Sequence, residues 1–295
     1  MNQQHLLLID GFNLLSRAHF ATSYNRANDQ LRNKNGVYNN ALRVFYQKLF
    51  NLIREHRITH LSVLWDVKRE ETTRRQKYAS YKATRTELPE PLLDQYLSCR
   101  DILEGIGVHQ LSLPPYEADD LLGAFSRRWP VDHCFIYSND RDLLQLLSET
   151  SSQIIAGKQG ETVYTCAHFQ NDYGIVPGQW TDVKALLGDN SDNIPGCPGI
   201  GAKSALPLIQ QYGSLESLYA SIDQLEPHLT KHRKKLVAGQ ESCFLSKELS
   251  TIIVDIPELG ELPLEALQLN IRHDVLRASM EQYELNIRID ASLGA

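Results

Sequence analysis

Nine acidic side chains stand in a pattern that could do chemistry. Asp10, Asp66 and Asp140 each close a short apolar run: His5 to Asp10, Leu61 to Asp66 and Cys134 to Asp140. One Asp after an apolar run is unremarkable, because it starts turns and caps helices. Three in succession predict three carboxylates aimed into one cleft. Glu117, Asp119 and Asp120 follow Pro114-Pro115-Tyr116 and fall in the first turn of a predicted helix. One acid there satisfies the helix dipole; three within four residues exceed it. Asp142 lies two residues past Asp140, and Asp189 and Asp192 share the turn-rich loop Gly188 to Pro195.

Carboxylates gathered this way repel. At ~5 Å and an effective dielectric near 20, each like-charged pair costs about 3 kcal/mol, so a neutralising partner is required. No cysteine or histidine set has ligand spacing, so the ligands are hard oxygens, which select Mg²⁺ or Mn²⁺ over zinc. Two such ions ~4 Å apart suit in-line attack of water on a phosphodiester, lowering the water's pKa and neutralising charge on the phosphoryl oxygens.

The elements that must position these acids are legible as well. Runs so short and apolar predict strands buried on both faces of a parallel sheet, whose functional crevice lies beyond the carboxyl ends. Helical stretches intervene, notably Asn40 to His56 and Leu92 to Leu103. The alternation predicts an α/β fold with helices on both faces of a mostly parallel sheet.

The chain has 295 residues, enough for one large domain or two unequal ones. No run approaches the ~18 apolar residues of a membrane helix. Met1 to His5 carries no basic region like that of a secretory signal. The five cysteines are scattered, without a C-x-x-C pair, so a reducing, cytoplasmic setting is expected. The net charge of −6 conceals segregation. Between Lys68 and Arg85, Lys68, Arg69, Arg74, Arg75, Lys77, Lys82 and Arg85 face only Glu70 and Glu71, and a second basic run covers Lys231 to Lys235.

Gly196-Cys197-Pro198-Gly199-Ile200-Gly201-Ala202-Lys203 nearly spells a phosphate-binding P-loop, but Ala202 intervenes before Lys203-Ser204 and no strand precedes it. It reads better as a helix–hairpin–helix turn, whose glycines admit close approach and whose backbone N–H groups face a phosphate.

Leu8-Ile9-Asp10-Gly11, Trp65-Asp66, Tyr116 to Asp120, Ser138 to Asp142 and Gly188 to Gly196 stand in the order and approximate spacing of the flap endonuclease/5′-nuclease family. The chain most resembles the 5′→3′ exonuclease domain of bacterial DNA polymerase I, from about residue 5 to about residue 270, and is expected to be a free-standing relative of it. The resemblance implies a PIN-like/Rossmann-like nuclease core over residues 1–172, with a helical arch at about 68–93. A C-terminal helical region, 173–295, would carry a helix–three-turn–helix. It places Asp10, Asp66, Glu117, Asp119 and Asp120 at a first metal, and Asp140, Asp142, Asp189 and Asp192 at a second. Lys82 and Arg85 would share a helical face beside the scissile phosphate, with Lys184 near the metals. Tyr78 or Tyr81 would stack on an unpaired base, and Arg17 and Arg74 would contact DNA. Gly199, Gly201 and Lys203 would grip the duplex backbone, with a K⁺ ion near Gly196, Pro198 and Gly201.

The expectation is therefore a monomeric, Mg²⁺-dependent nuclease, with Mn²⁺ as a substitute, acting on branched or 5′-flap DNA and RNA-primed ends in replication and repair. The rivals are a PIN-like ribonuclease, a haloacid-dehalogenase-type phosphatase, which would need D-x-D where Asp10 is followed by Gly11-Phe12, and a non-catalytic binder of branched DNA.

Overall fold

The computed structural model describes residues 3–288. Six strands form one sheet: β1 (His5–Asp10), β2 (His60–Leu64), β3 (His109–Leu111), β4 (His133–Tyr137), β5 (Ser151–Gly157) and β6 (Gly160–Tyr164). Their order is β3-β2-β1-β4-β5-β6, parallel except for the β5–β6 hairpin. The three Asp-terminated runs are β1, β2 and β4. The chain winds outward from β1 through β2 to β3, then restarts at β4 on the other side, so the sheet reverses direction between β1 and β4. Ligand crevices of doubly wound sheets lie at such a reversal. Asp10 ends one of these strands and Asp140 follows the other.

Helices cover both faces, as the apolar runs require. Leu7 and Ile9 of β1 enter the core built by α1 (Gly11–Ser23), α2 (Asn40–Glu55) and α4 (Glu90–Ile106). Leu6 and Leu8 point the other way, into a core with Leu121, Leu122 and Phe125 of α5 (Ala118–Arg128). Gly11 is obligatory at the sheet's rim: a Cβ there would lie 2.6 Å from the buried Trp65 ring.

Between β2 and α4 the expected helical arch is instead a compact strap. It holds one five-residue helix, α3 (Thr73–Lys77), followed by turns over residues 78–84. The turns let Lys82 and Arg85 reach the carboxylates of Glu117 and Asp192.

A second core gathers α6 (Cys166–Tyr173), α7 (Trp180–Leu187), α8 (Ala202–Tyr212), α9 (Leu215–Ala220), α10 (Arg233–Ala238) and α11 (Gln240–Ser250). The boundary expected at 172/173 falls at the end of α6, which packs with the helices that follow it. Past α11 the chain returns to the first body: Ile252, Ile256 and Leu267 join the α5 side of the sheet. Ile271 and, from α12 (His273–Gln282), Leu276 and Met280 close the opposite side. Residues expected to belong wholly to the helical region thus complete the α/β core. No helix among the described residues is long and apolar enough to cross a membrane.

Candidate active site

Asp10 both ends β1 and caps α1, accepting from the Asn13 amide at 3.0 Å, while its other oxygen accepts from Ser138 Oγ at 3.0 Å. Asp66 accepts from the Ala118 amide at 3.0 Å, which ties the end of β2 to the start of α5. Asp140 accepts from the Asp142 amide at 2.8 Å, and its own amide donates to Ser138 Oγ. Ser138, which the sequence reading passed over, therefore orients two acids across the β1–β4 reversal. It was findable, since it closes the β4 run within Ser138-Asn139-Asp140.

These carboxylates share one electrostatic environment. Burial pushes Asp10 up to about 7, helped by the charges of Asp66 and Asp140. Burial, then Asp140 and Asp10, holds Asp119 well above the usual carboxylate range. Asp142 rises to about 6 through burial and Asp140, despite Lys184. Asp66 is exposed at the rim, yet partial loss of solvent around its carboxyl, with Glu117, raises it against the pull of Lys82. The raised values mean that these carboxyls are held out of water, close to one another's charge.

Asp142 and the remaining acids already have cations. Lys184 bridges Asp142 and Asp189 at 2.8 Å each. Burial opposes it, but Lys184 and the Ser191 donors hold Asp189 down to about 2. Asp192 pairs with Arg85 at 2.5 Å and lies 3.9 Å from Lys82. The loop that carries them is pinched shut by glycines. Gly188 and Gly196 have positive φ, and a Cβ on Gly188 would lie 2.5 Å from the Ile194 carbonyl oxygen. Asp189 and Ile194 exchange backbone hydrogen bonds across it at 2.8 and 2.9 Å.

Two expectations change at the strap. Arg74, expected to contact DNA, is buried and spends its N–H groups internally: on Glu117, on both oxygens of Asp120, and on the carbonyls of Leu249 and Thr251, at 2.7–2.9 Å. Asp120, expected at the first metal, is 1% exposed. Its oxygens also accept from the Ile253 and Glu117 amides, which leaves none directed into the cleft. A buried guanidinium needs this pairing, because one charge left alone in the core costs far more than the pair.

Tyr81 is likewise buried against Ile194 and Leu249, with Tyr78 half-buried beside it. Its hydroxyl donates to Glu117 at 3.0 Å, so the ring cannot stack on a base in this arrangement. Glu117 also pairs with Lys82, and although burial raises it, Lys82 and Arg74 win and hold it below its usual range. Lys82 and Arg85 do not share a helix face, since Lys82 sits in a turn with φ +52°. They still meet the acids, because the Lys82 amide donates to the Asp192 carbonyl at 2.9 Å and Arg69 donates to the carbonyls of both residues.

Farther off, Arg17 is exposed on α1, and Gly199, Gly201 and Lys203 are exposed where α8 begins. The Gly196 carbonyl accepts from Ser242 at 2.7 Å, and that of Gly201 accepts from the Ser204 and Ala205 amides. Pro198 is exposed beside them. Among the described residues no three acidic, histidine or cysteine side chains form a ready-made metal cage. Instead, lysines and arginines stand between acid groups that lack charge balance without them.

An acid-lined sheet rim at a strand-order reversal, faced by a cationic strap and joined to a helical unit with a glycine turn, is the architecture of a nuclease. Residues 5–174 match the model of the 5′-3′ exonuclease N-terminal resolvase-like domain, and residues 175–274 match that of the 5′-3′ exonuclease C-terminal SAM fold. The chain belongs to the 5′-3′ exonuclease family. It is 56% identical over 293 residues to a 5′-3′ exonuclease of Halalkalibacterium halodurans, covering 98% of this chain and 97% of that one. It is 35% identical over 259 residues to DNA polymerase I of Bacillus subtilis, covering 86% of this chain and 28% of the polymerase. The fold is shared with the bacteriophage T5 flap endonuclease in a pseudo-enzyme–product complex with DNA and metal ions, at a TM-score of 0.64 and 23% identity over 95% of this chain and 100% of that one.

Proposed function

We propose that the chain is a Mg²⁺-dependent, Mn²⁺-tolerant 5′ nuclease that hydrolyses phosphodiesters near the 5′ end of branched, 5′-flap or RNA-primed DNA, working as a monomer in the cytoplasm. One observation carries the reading: Asp10, Asp119 and Asp142 lie together at the sheet's rim with their proton affinities raised first by burial and then by one another's neighbouring carboxylates. Oxygen donors in that condition fit hard divalent cations. Asp10, Asp66, Asp119 and Asp140 would hold one ion, and Asp142, Asp189 and Asp192 a second, with Glu117 available once Lys82 releases it and Asp120 acting only through Arg74. The ions, when bound, supply Lewis-acid activation of water and neutralisation of the phosphate.

The remaining work falls to the chain's own residues. Ser138 holds the Asp10 carboxyl and the Asp140 backbone in place, and the Asp142 amide orients the Asp140 carboxyl. Lys82, Arg85 and Lys184 are paired with carboxylates that metals would claim, so they are the cations free to turn to a substrate phosphate and stabilise charge building on it. Donating no proton of their own, they bind and orient. At the glycine turn the Gly196 and Gly201 carbonyls already accept protein donors, which counts against a K⁺ ion there.

An end-labelled 5′-flap duplex with and without Mg²⁺ tests the reading. Short 5′ products only with Mg²⁺ or Mn²⁺ are expected. Binding without cleavage at every metal concentration, or cleavage of single-stranded RNA alone, would overturn it.

A further inference from the structure

The second basic run, Lys231 to Lys235, lies on the helical unit, away from the acid cleft. We propose that it forms a second phosphate-binding strip beside the glycine turn, in which Lys231 and Lys234 contact the backbone of a DNA duplex and Lys235 sets the strip's distance from the turn. The inference rests on the nuclease reading above and extends its DNA contact to residues outside the glycine motif.

The helical geometry sorts the five residues into different roles. Residues 230–232 form a 3₁₀ turn that runs into α10. His232 and Leu236, one turn apart, are buried and mark the inward face. Burial together with Lys231 and Lys235 lowers the proton affinity of His232, which keeps it neutral near pH 7. Arg233, at ~100° per residue, falls on one flank, where it is already engaged by Asp223 and the Ile222 carbonyl. Lys231 and Lys235, four apart, share the opposite flank, and Lys234 lies just outward of them.

That opposite flank faces the glycine turn. Lys235 Nζ donates to the Gly199 carbonyl at 2.9 Å, and a Cβ on Gly199 would meet Lys235 Cε at 3.1 Å. The Cys197 thiol lies 3.5 Å from the Lys235 carbonyl oxygen. The turn and α10 are therefore packed as one piece. On that piece Lys203, Lys231, Lys234 and Lys235 are exposed, and none pairs with a carboxylate among the described residues. Nor is there an acid in the two segments that build it: none occurs from Ile194 to Leu215, or from Pro227 to Gln240. In a chain of net charge −6, two acid-free segments folded against each other make a local cationic face.

A face of lysines without carboxylates suits the repeating phosphates of a duplex rather than a particular sequence. The exposed Gly199 and Gly201 let that backbone approach the turn, and the lysines on α10 then meet phosphates further along. Lys235, already bonded to Gly199, acts as a spacer.

The test is the salt dependence of binding to a blunt DNA duplex, measured by anisotropy in EDTA so that no cleavage occurs. Neutralising two phosphate contacts changes the slope of log K against log[salt] by about 1.8, at roughly 0.9 per contact on B-DNA. Lys231→Ala/Lys234→Ala is expected to flatten the slope by that amount and to weaken binding about 10- to 100-fold near ~0.1 M salt. Lys231→Arg/Lys234→Arg should restore the slope. Arg233→Ala removes one positive charge from the other flank and should leave the slope unchanged, as should the double alanine variant with single-stranded DNA. An unchanged duplex slope in the double variant, or an equal loss in Arg233→Ala, overturns the strip. Failure of the unsubstituted protein to bind duplex at all would instead overturn the nuclease reading.

Discussion

Asp10→Asn should make the metal-free protein more stable while making it useless to a metal. In the folded chain Asp10 sits at about 7, against 3.8 for a free side chain. A shift of that size corresponds to about 4 kcal/mol of strain above pH 7, at about 1.36 kcal/mol per unit. Part of it is shared with Asp66 and Asp140, whose charges remain, and the Ser138 bond must be rebuilt around an amide. The expected gain is therefore about 1–3 kcal/mol. The amide oxygen can still accept from the Asn13 amide and keep the α1 cap. The direction with pH follows from the raised value: between about 4 and 7 the folded state holds a proton that the unfolded chain has released, so metal-free stability rises as pH falls through that window. The substitution should flatten that rise. Urea unfolding in EDTA at pH 8 and pH 5.5 reads both effects. Titrating Mn²⁺ reads the converse, because the unsubstituted protein gains stability with a ligand that binds only the folded state, whereas the variant loses most of that gain. Equal or lower stability of Asp10→Asn in EDTA at pH 8, with an undiminished response to Mn²⁺, would refute the claim that a buried, charge-strained carboxylate at Asp10 marks the metal site.

Arg74→Met strands the buried Asp120 and Glu117 and should cost about 3–5 kcal/mol in urea unfolding, whereas Arg74→Lys, with fewer donors, should recover only part of it. A DNA-contact role for Arg74 would instead leave stability unchanged and weaken binding. Lys82→Ala should lower single-turnover cleavage of a 5′ flap by roughly 10²-fold with little change in duplex affinity; an unaltered rate would remove Lys82 from the transition state. Gly188→Ala forces a Cβ to within 2.5 Å of the Ile194 carbonyl oxygen at a φ of +68°, and should lower both stability and Mn²⁺ affinity, read by thermal melts with and without metal. Retention of both would mean that the 188–196 loop does not position Asp189 and Asp192.

What the amino-acid order determined by itself was the periodic and local part. Apolar runs ending in Asp specify strands whose carboxylates face one rim, because side-chain direction in a strand follows from position alone. The β1, β2 and β4 segments, both long helices and the glycine turn were all readable on that basis. Short or amphipathic pieces were not: β3 is three residues long, and the β5–β6 hairpin carries too many polar residues to announce itself. Only the tertiary structure decided which charges meet. Arg74 and Lys82 are indistinguishable as members of one basic run, yet Arg74 is swallowed by Asp120, Glu117 and two carbonyls from residues 249–251, while Lys82 stops at the cleft. Asp119 and Asp120 are neighbours in sequence, and a helix turns one towards Asp10 and the other towards Arg74. The reason is that a charge buried without its partner is heavily penalised whereas an exposed one is not, so partners are set by which segments fold against each other.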